Sequence, residues 1–95
     1  MRITDLNGRS FIIAGITRET AKAIQCEYHD YYDIAPTAFT VEYIWLPKSA
    51  STVHQLRTGE MLVTVAPWLR RKLNGTTIPR DGWTSETNLA DYIVA

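Results

Sequence analysis

The run Phe39-Thr40-Val41-Glu42-Tyr43-Ile44-Trp45-Leu46, closed by Pro47-Lys48-Ser49, constrains this chain more than any other stretch. Its β-branched and aromatic residues favour an extended strand. Period-two spacing sends Phe39, Val41, Tyr43 and Trp45 to one face and Thr40, Glu42, Ile44 and Leu46 to the other. The second half is apolar on both faces. That predicts a strand interior to its sheet over 39–46, with Trp45 buried and Ile44 to Leu46 covered from both sides. Pro47 cannot donate to a ladder, so the pairing changes there.

The segments before this run offer partners for it. Asn7-Gly8 signals a turn, and Phe11, Ile12, Ile13 and Ile16 predict a strand over about 10–16. Over 20–29, Lys22, Ile24, Cys26 and Tyr28 fall on one face, and Ala21, Ala23, Gln25, Glu27 and His29 on the other. This is the pattern of a half-buried strand. A helix over 18–28 is the alternative, since Glu19, Ala21, Lys22 and Ala23 are good helix formers. Asp30 to Thr37 reads as a polar, aromatic loop with Pro36 near its end.

After the run, Ser51 to Arg57 and Glu60 to Ala66 predict a hairpin around Thr58-Gly59, with Met61, Val63 and Val65 as its inward row. Pro67 can open a helix that ends at Asn74-Gly75. Two turns are too short to stand alone, so this helix has to dock through Trp68, Leu69 and Leu73. Residues 76–85 read as irregular, and Tyr92-Ile93-Val94 suits an edge strand as well as a helical turn. The sum is a mainly β (α+β) chain. It predicts a small antiparallel barrel or curled sheet of about five strands, SH3-like or OB-like, with one short helix near 67–74.

Ninety-five residues, 45% of them apolar, suit a single domain over 1–95, with 76–95 as an irregular C-terminal extension. No apolar run approaches the ~20 residues of a membrane span. The N-terminus lacks the apolar core of a signal peptide, which predicts a cytoplasmic protein. Cys26 is the only cysteine, so an intrachain disulfide and a multi-cysteine zinc site are both excluded. The net charge is zero but unevenly spread. Within 19–42, Lys22 stands against Glu19, Glu27, Asp30, Asp33 and Glu42. Within 48–80, Lys48, Arg57, Arg70, Arg71, Lys72 and Arg80 stand against Glu60. Such a bipolar surface suits the steering of a protein partner better than nucleic acid, which wants a basic domain.

Three pieces in order resemble a known sequence pattern. They are Glu19-Thr20-Ala21-Lys22-Ala23-Ile24 opening a strand, Trp45-Leu46-Pro47-Lys48-Ser49 ending one, and Val65-Ala66-Pro67-Trp68-Leu69 opening a helix. Together they resemble a group of short uncharacterised proteins of phages and other mobile elements. That group carries Glu-x-x-Lys-Ala, then Trp-Ile-Pro-Lys-Ser, then Pro-x-Trp-Leu. The likeness spans residues 10–75, and the middle piece is its most specific part. Here Pro67 abuts Trp68, Ala50 replaces a usual polar residue, and 29–38 and 76–95 look like additions. The resemblance implies a phage or mobile-element origin and a bacterial host, and no particular chemistry.

Catalytic groupings are sparse. Cys26 and His29 stand three apart, so on a strand they face opposite sides. Ser49, Ser51 and His54 lack a nearby acid, His29 with Asp30 and Asp33 matches no metal motif, and no glycine loop suits phosphate. The chain reads as non-enzymatic and asks for no cofactor or metal. Two surfaces compete as binding sites. The cluster Tyr28, Asp30, Tyr31, Tyr32 and Asp33 offers tyrosine anchors and acidic steering charges for a protein partner. Trp45 and Lys48, with Arg70, Arg71 and Lys72, offer a stacking platform and cations for single-stranded nucleic acid. A core tryptophan and a basic last helical turn are the simpler accounts of those residues. The leading expectation is a binding protein that occupies a surface of a host protein. Anti-defence inhibition of a CRISPR effector is one form of that role. Binding of single-stranded nucleic acid is the alternative.

Overall fold

The computed structural model describes residues 8–32, 35–73, 78–79, 82–84 and 92–94, with the backbone alone at 31–32 and 35–37. Over these residues the chain is mainly β, in two antiparallel sheets with one short α-helix. The strands are β1 (Ser10–Ile13), β2 (Gly15–Glu19), β3 (Ala23–Tyr32), β4 (Ala35–Pro47), β5 (Ser51–Gln55), β6 (Met61–Val65) and β7 (Trp83–Thr84). Helix α1 spans Pro67–Leu73. One sheet has the order β5-β6-β1-β7 and the other β2-β3-β4.

The expected strand over 10–16 is divided. Ala14 bends the chain between β1 and β2, and its N–H bonds the Glu27 carbonyl at 2.7 Å. The bend sends β1 into one sheet and β2 into the other. At the far end of β4, a 3-10 turn at Lys48–Ala50 makes the same transfer into β5.

β3 takes the strand form, and its alternation holds: Ile24, Cys26 and Tyr28 are buried. The reading of 30–37 as a loop is corrected. β3 runs on to Tyr32 and β4 begins at Ala35, so most of that segment belongs to a long hairpin arm. Its aromatic residues are good strand formers, and pairing satisfies their backbone groups. The register pairs Ile24 with Leu46, Cys26 with Ile44 and Tyr28 with Glu42.

That register also corrects the expectation for the 39–46 run. Among the described strands, β4 pairs with β3 alone and is an edge strand of its sheet. Even-numbered residues of β3 and β4 share a face, so the apolar row of β3 draws Ile44 and Leu46 inward. Trp45 therefore turns outward and stays 46% exposed. The strand covered on both sides is β6. Val63 and Val65 enter the main core, and Leu62 enters a second cluster with Leu56 and Ile93 on the opposite face.

The main core lies between the sheets. It joins Phe11 and Ile13 to Ile24, Cys26, Tyr28, Ile44 and Leu46, and Leu69 of α1 closes one side. The β5–β6 hairpin turns at Thr58-Gly59 as expected. Gly59 takes φ +93°, a conformation that only glycine adopts cheaply. In α1 the docking residues are Leu69, buried, and Leu73, half-buried. Trp68, expected to dock with them, is 51% exposed. At the C-terminal end, Ile93 bridges to Leu56, and Val94 N–H bonds the Gln55 carbonyl at 2.8 Å. Ile78, Trp83 and Ile93 thus bring parts of the expected extension into the core. Among the described residues, no helix is long and apolar enough to cross a membrane.

Candidate protein-binding surface

The two strands of the arm are locked by the Lys48 N–H, which bonds the Lys22 carbonyl at 2.8 Å. In an antiparallel ladder every second residue bonds a given neighbour. Even-numbered residues of β4 therefore bond β3. The backbone groups of Val41, Tyr43 and Trp45 point to the outer edge.

The side chains of the same odd-numbered row are exposed. Phe39, Val41, Tyr43 and Trp45 are 42%, 45%, 53% and 46% accessible, a continuous apolar stripe along one strand. A soluble protein rarely shows such a stripe without a partner for it. Across the register on β3 lie Gln25 opposite Trp45, Glu27 opposite Tyr43, and His29 opposite Val41. The His29 ring stacks on Phe39 with centroids 4.3 Å apart and planes 17° off parallel. Its Nε2 lies 3.4 Å from Glu27 Oε2. Thr17 of β2 donates to Gln25 Oε1 at 3.1 Å, which fixes the polar margin. The result is an aromatic strip bordered on one side by amide, carboxylate and imidazole.

The tyrosine–acid cluster is divided by the pleat. Tyr28 is buried and packs edge-on against Phe11 at 6.4 Å, so it is a core residue and not a surface anchor. Burial first, then the charges of Glu42 and Asp30, raise its phenol pKa. Asp30 is half-buried opposite Thr40. Tyr31 stands opposite Phe39 and Tyr32 opposite Ala35. Asp33 lies outside the described residues.

The residues chosen for nucleic acid are also dispersed. Trp45 is exposed on β4, but Lys48 Nζ is held 2.6 Å from Glu19 Oε2. Arg70 donates from Nε to the Gly8 carbonyl at 3.0 Å and lies 3.9 Å over the Trp83 ring. Arg71 and Lys72 are exposed on α1. Trp45 and these helix cations thus sit on separate elements.

Nucleophiles and bases are kept apart. Cys26 is buried on the inner face of β3, where desolvation pushes its thiol pKa up to about 11, while His29 lies on the outer face. Ser51 and His54 fall on opposite faces of β5. Among the described residues, no three His, Cys, Asp or Glu side chains converge as metal ligands.

The sequence reading named Trp45 but missed Val41 and Tyr43 as surface residues. The signal was present in β3. Gln25, Glu27 and His29 are polar, and whatever pairs with them must share their outward face. No protein-family model, curated protein or solved structure matches this chain.

Proposed function

We propose that this chain is a non-enzymatic binding protein that occupies a surface of another protein through the outer face of the β3–β4 arm. The exposed row Val41, Tyr43 and Trp45 carries this reading. Tyrosine and tryptophan offer large contact area at low entropic cost, and they dominate interface energetics. Glu27, directly opposite Tyr43 on the same face, favours a partner with basic groups at the rim. The resemblance of 10–75 to short phage and mobile-element proteins favours a protein of a bacterial host as the partner. In this reading the two sheets are halves of a small open barrel, SH3-like or OB-like, from which the arm projects.

A second reading, binding of single-stranded nucleic acid, draws on the exposure of Trp45 and Tyr43 as stacking groups. The local charge opposes it. Glu27 lies directly across from Tyr43, and Glu19 already holds Lys48. Both carboxylates would meet phosphate.

Capture from a nuclease-treated bacterial lysate separates the two readings. The chain is expected to retain a protein that Tyr43→Ser with Trp45→Ser no longer retains, while that variant keeps the parental melting temperature. Retention by the folded double variant would place the binding surface elsewhere. Capture lost on nuclease treatment, together with direct binding of labelled single strands at moderate salt, would put nucleic acid first.

A further inference from the structure

We propose that the outer edge of β4 pairs antiparallel with β4 of a second copy of this chain, joining two three-stranded sheets into one of six strands. The outer face of the arm stays open in such a dimer, so this inference does not depend on the function proposed above.

Three observations carry it. First, the backbone groups of Val41, Tyr43 and Trp45 face away from β3, and no described strand takes them up. Pro47 shares their parity, so its missing N–H falls on the outer side and costs the β3 ladder nothing. Second, the other edge of this sheet is blunted and this one is not. β2 is short, carries exposed Arg18 and Glu19, and shifts register between Ile16 and Arg18. Short length, charge and irregularity are the usual protections of an edge. β4 runs over Ala35–Pro47, and its regular register with β3 extends from Phe39 to Pro47.

Third, the stripe is its own complement. A two-fold axis through Glu42 sets Val41 opposite Tyr43 of the second copy and Trp45 opposite Phe39 of the second copy, and the reverse. Every apolar member then meets an apolar member, in the aromatic and aromatic–β-branched combinations that stabilise sheets. Shifting the axis to Val41 sets Trp45 against Thr37, and shifting it to Tyr43 sets Phe39 against Pro47. The single adverse contact of the favoured register is Glu42 against Glu42, on the opposite face.

One strand edge covers well under the ~1,200 Å² of a standard stable interface. The dimer is therefore weak, with monomer and dimer in exchange at micromolar to millimolar concentration.

Sedimentation equilibrium of the full chain over that range is expected to show a monomer–dimer equilibrium. Glu42 is exposed, so replacing it leaves the fold intact and reports the register. Glu42→Gln is expected to tighten the dimer about two- to five-fold by removing the like-charge pair. Glu42→Lys mixed with the parent chain should favour the mixed dimer over either homodimer. Glu42→Cys should form a disulfide-linked dimer on mild oxidation, since directly opposed residues of neighbouring strands meet disulfide distances. A chain that stays monomeric throughout overturns the proposal. So does a dimer indifferent to the charge at 42 and not crosslinked there.

Discussion

Trp45 and Leu46 are neighbours in sequence with opposite fates. Leu46 is wholly buried between the sheets, and Trp45 is half in solvent. Leu46→Ala is expected to cost about 2–5 kcal/mol, as for other large-to-small core changes. Trp45→Ala is expected to cost less than about 1 kcal/mol, as surface changes do. Urea unfolding of the two variants checks this, and equal losses would refute the placement of Trp45. His54 is also buried, and desolvation lowers its pKa below the ordinary 6.5. Below that value the unfolded chain takes up a proton that the folded chain resists. Stability therefore rises with pH through this window and is lost on acidification. The melting temperature should fall from about pH 7.5 to about pH 5.5, and His54→Gln should flatten that slope. An unchanged slope in the variant would assign the effect to another group.

At the scale of elements, α1 shows how a two-turn helix is held. Ala66 accepts bonds from the N–H groups of Leu69 and Arg70, at 3.0 and 2.9 Å, which start the helix. Leu69 inserts into the core. Arg70 ties the helix to Gly8 by a hydrogen bond and to β7 by its position over Trp83, whose ring in turn packs edge-on against Phe11 at 5.3 Å. A basic residue in a last helical turn, expected from the dipole alone, thus has a specific structural role. Arg70→Met keeps much of the aliphatic stem and removes both polar contacts. It should cost about 1–2 kcal/mol. Arg71→Met, at an exposed position, should change stability by less than about 0.5 kcal/mol. Thermal melts of the pair test the distinction, and equal effects would remove the role assigned to Arg70.

Across the whole molecule, the two sheets share the main core, and a second small cluster closes the opposite face of β6. That cluster of Leu56, Leu62 and Ile93 depends on residues far apart in sequence. The Arg57 N–H bonds the Tyr92 carbonyl at 2.7 Å, so backbone pairing and apolar contact anchor the C-terminal segment together. Ile93→Ala is expected to cost about 2–4 kcal/mol. It should also speed hydrogen exchange at Gln55 to Arg57 more than in β3, because the bridge opens first. Uniform acceleration throughout the chain would mean that the segment unfolds with the rest and has no local opening of its own.

Local chemistry determined a good deal. Alternation identified β3 and its buried row, Gly59 marked the hairpin turn, and Pro67 opened the helix, whose expected stop at Asn74-Gly75 lies outside the described residues. These depend on neighbouring residues and on backbone preferences that act within a few positions. What the tertiary structure alone decided was which surface each strand would cover. Phe39, Val41, Tyr43 and Trp45 make the more apolar face of β4, yet the register with β3 turns that face outward. The apolar side of β3 is Ile24, Cys26 and Tyr28, and directly paired residues must share a face. The bend at Ala14 and the two-sided burial of β6 are likewise set by contacts between distant segments. So the candidate surface was visible in the sequence as a row of residues, and its exposure was not, because exposure depends on what lies across the sheet.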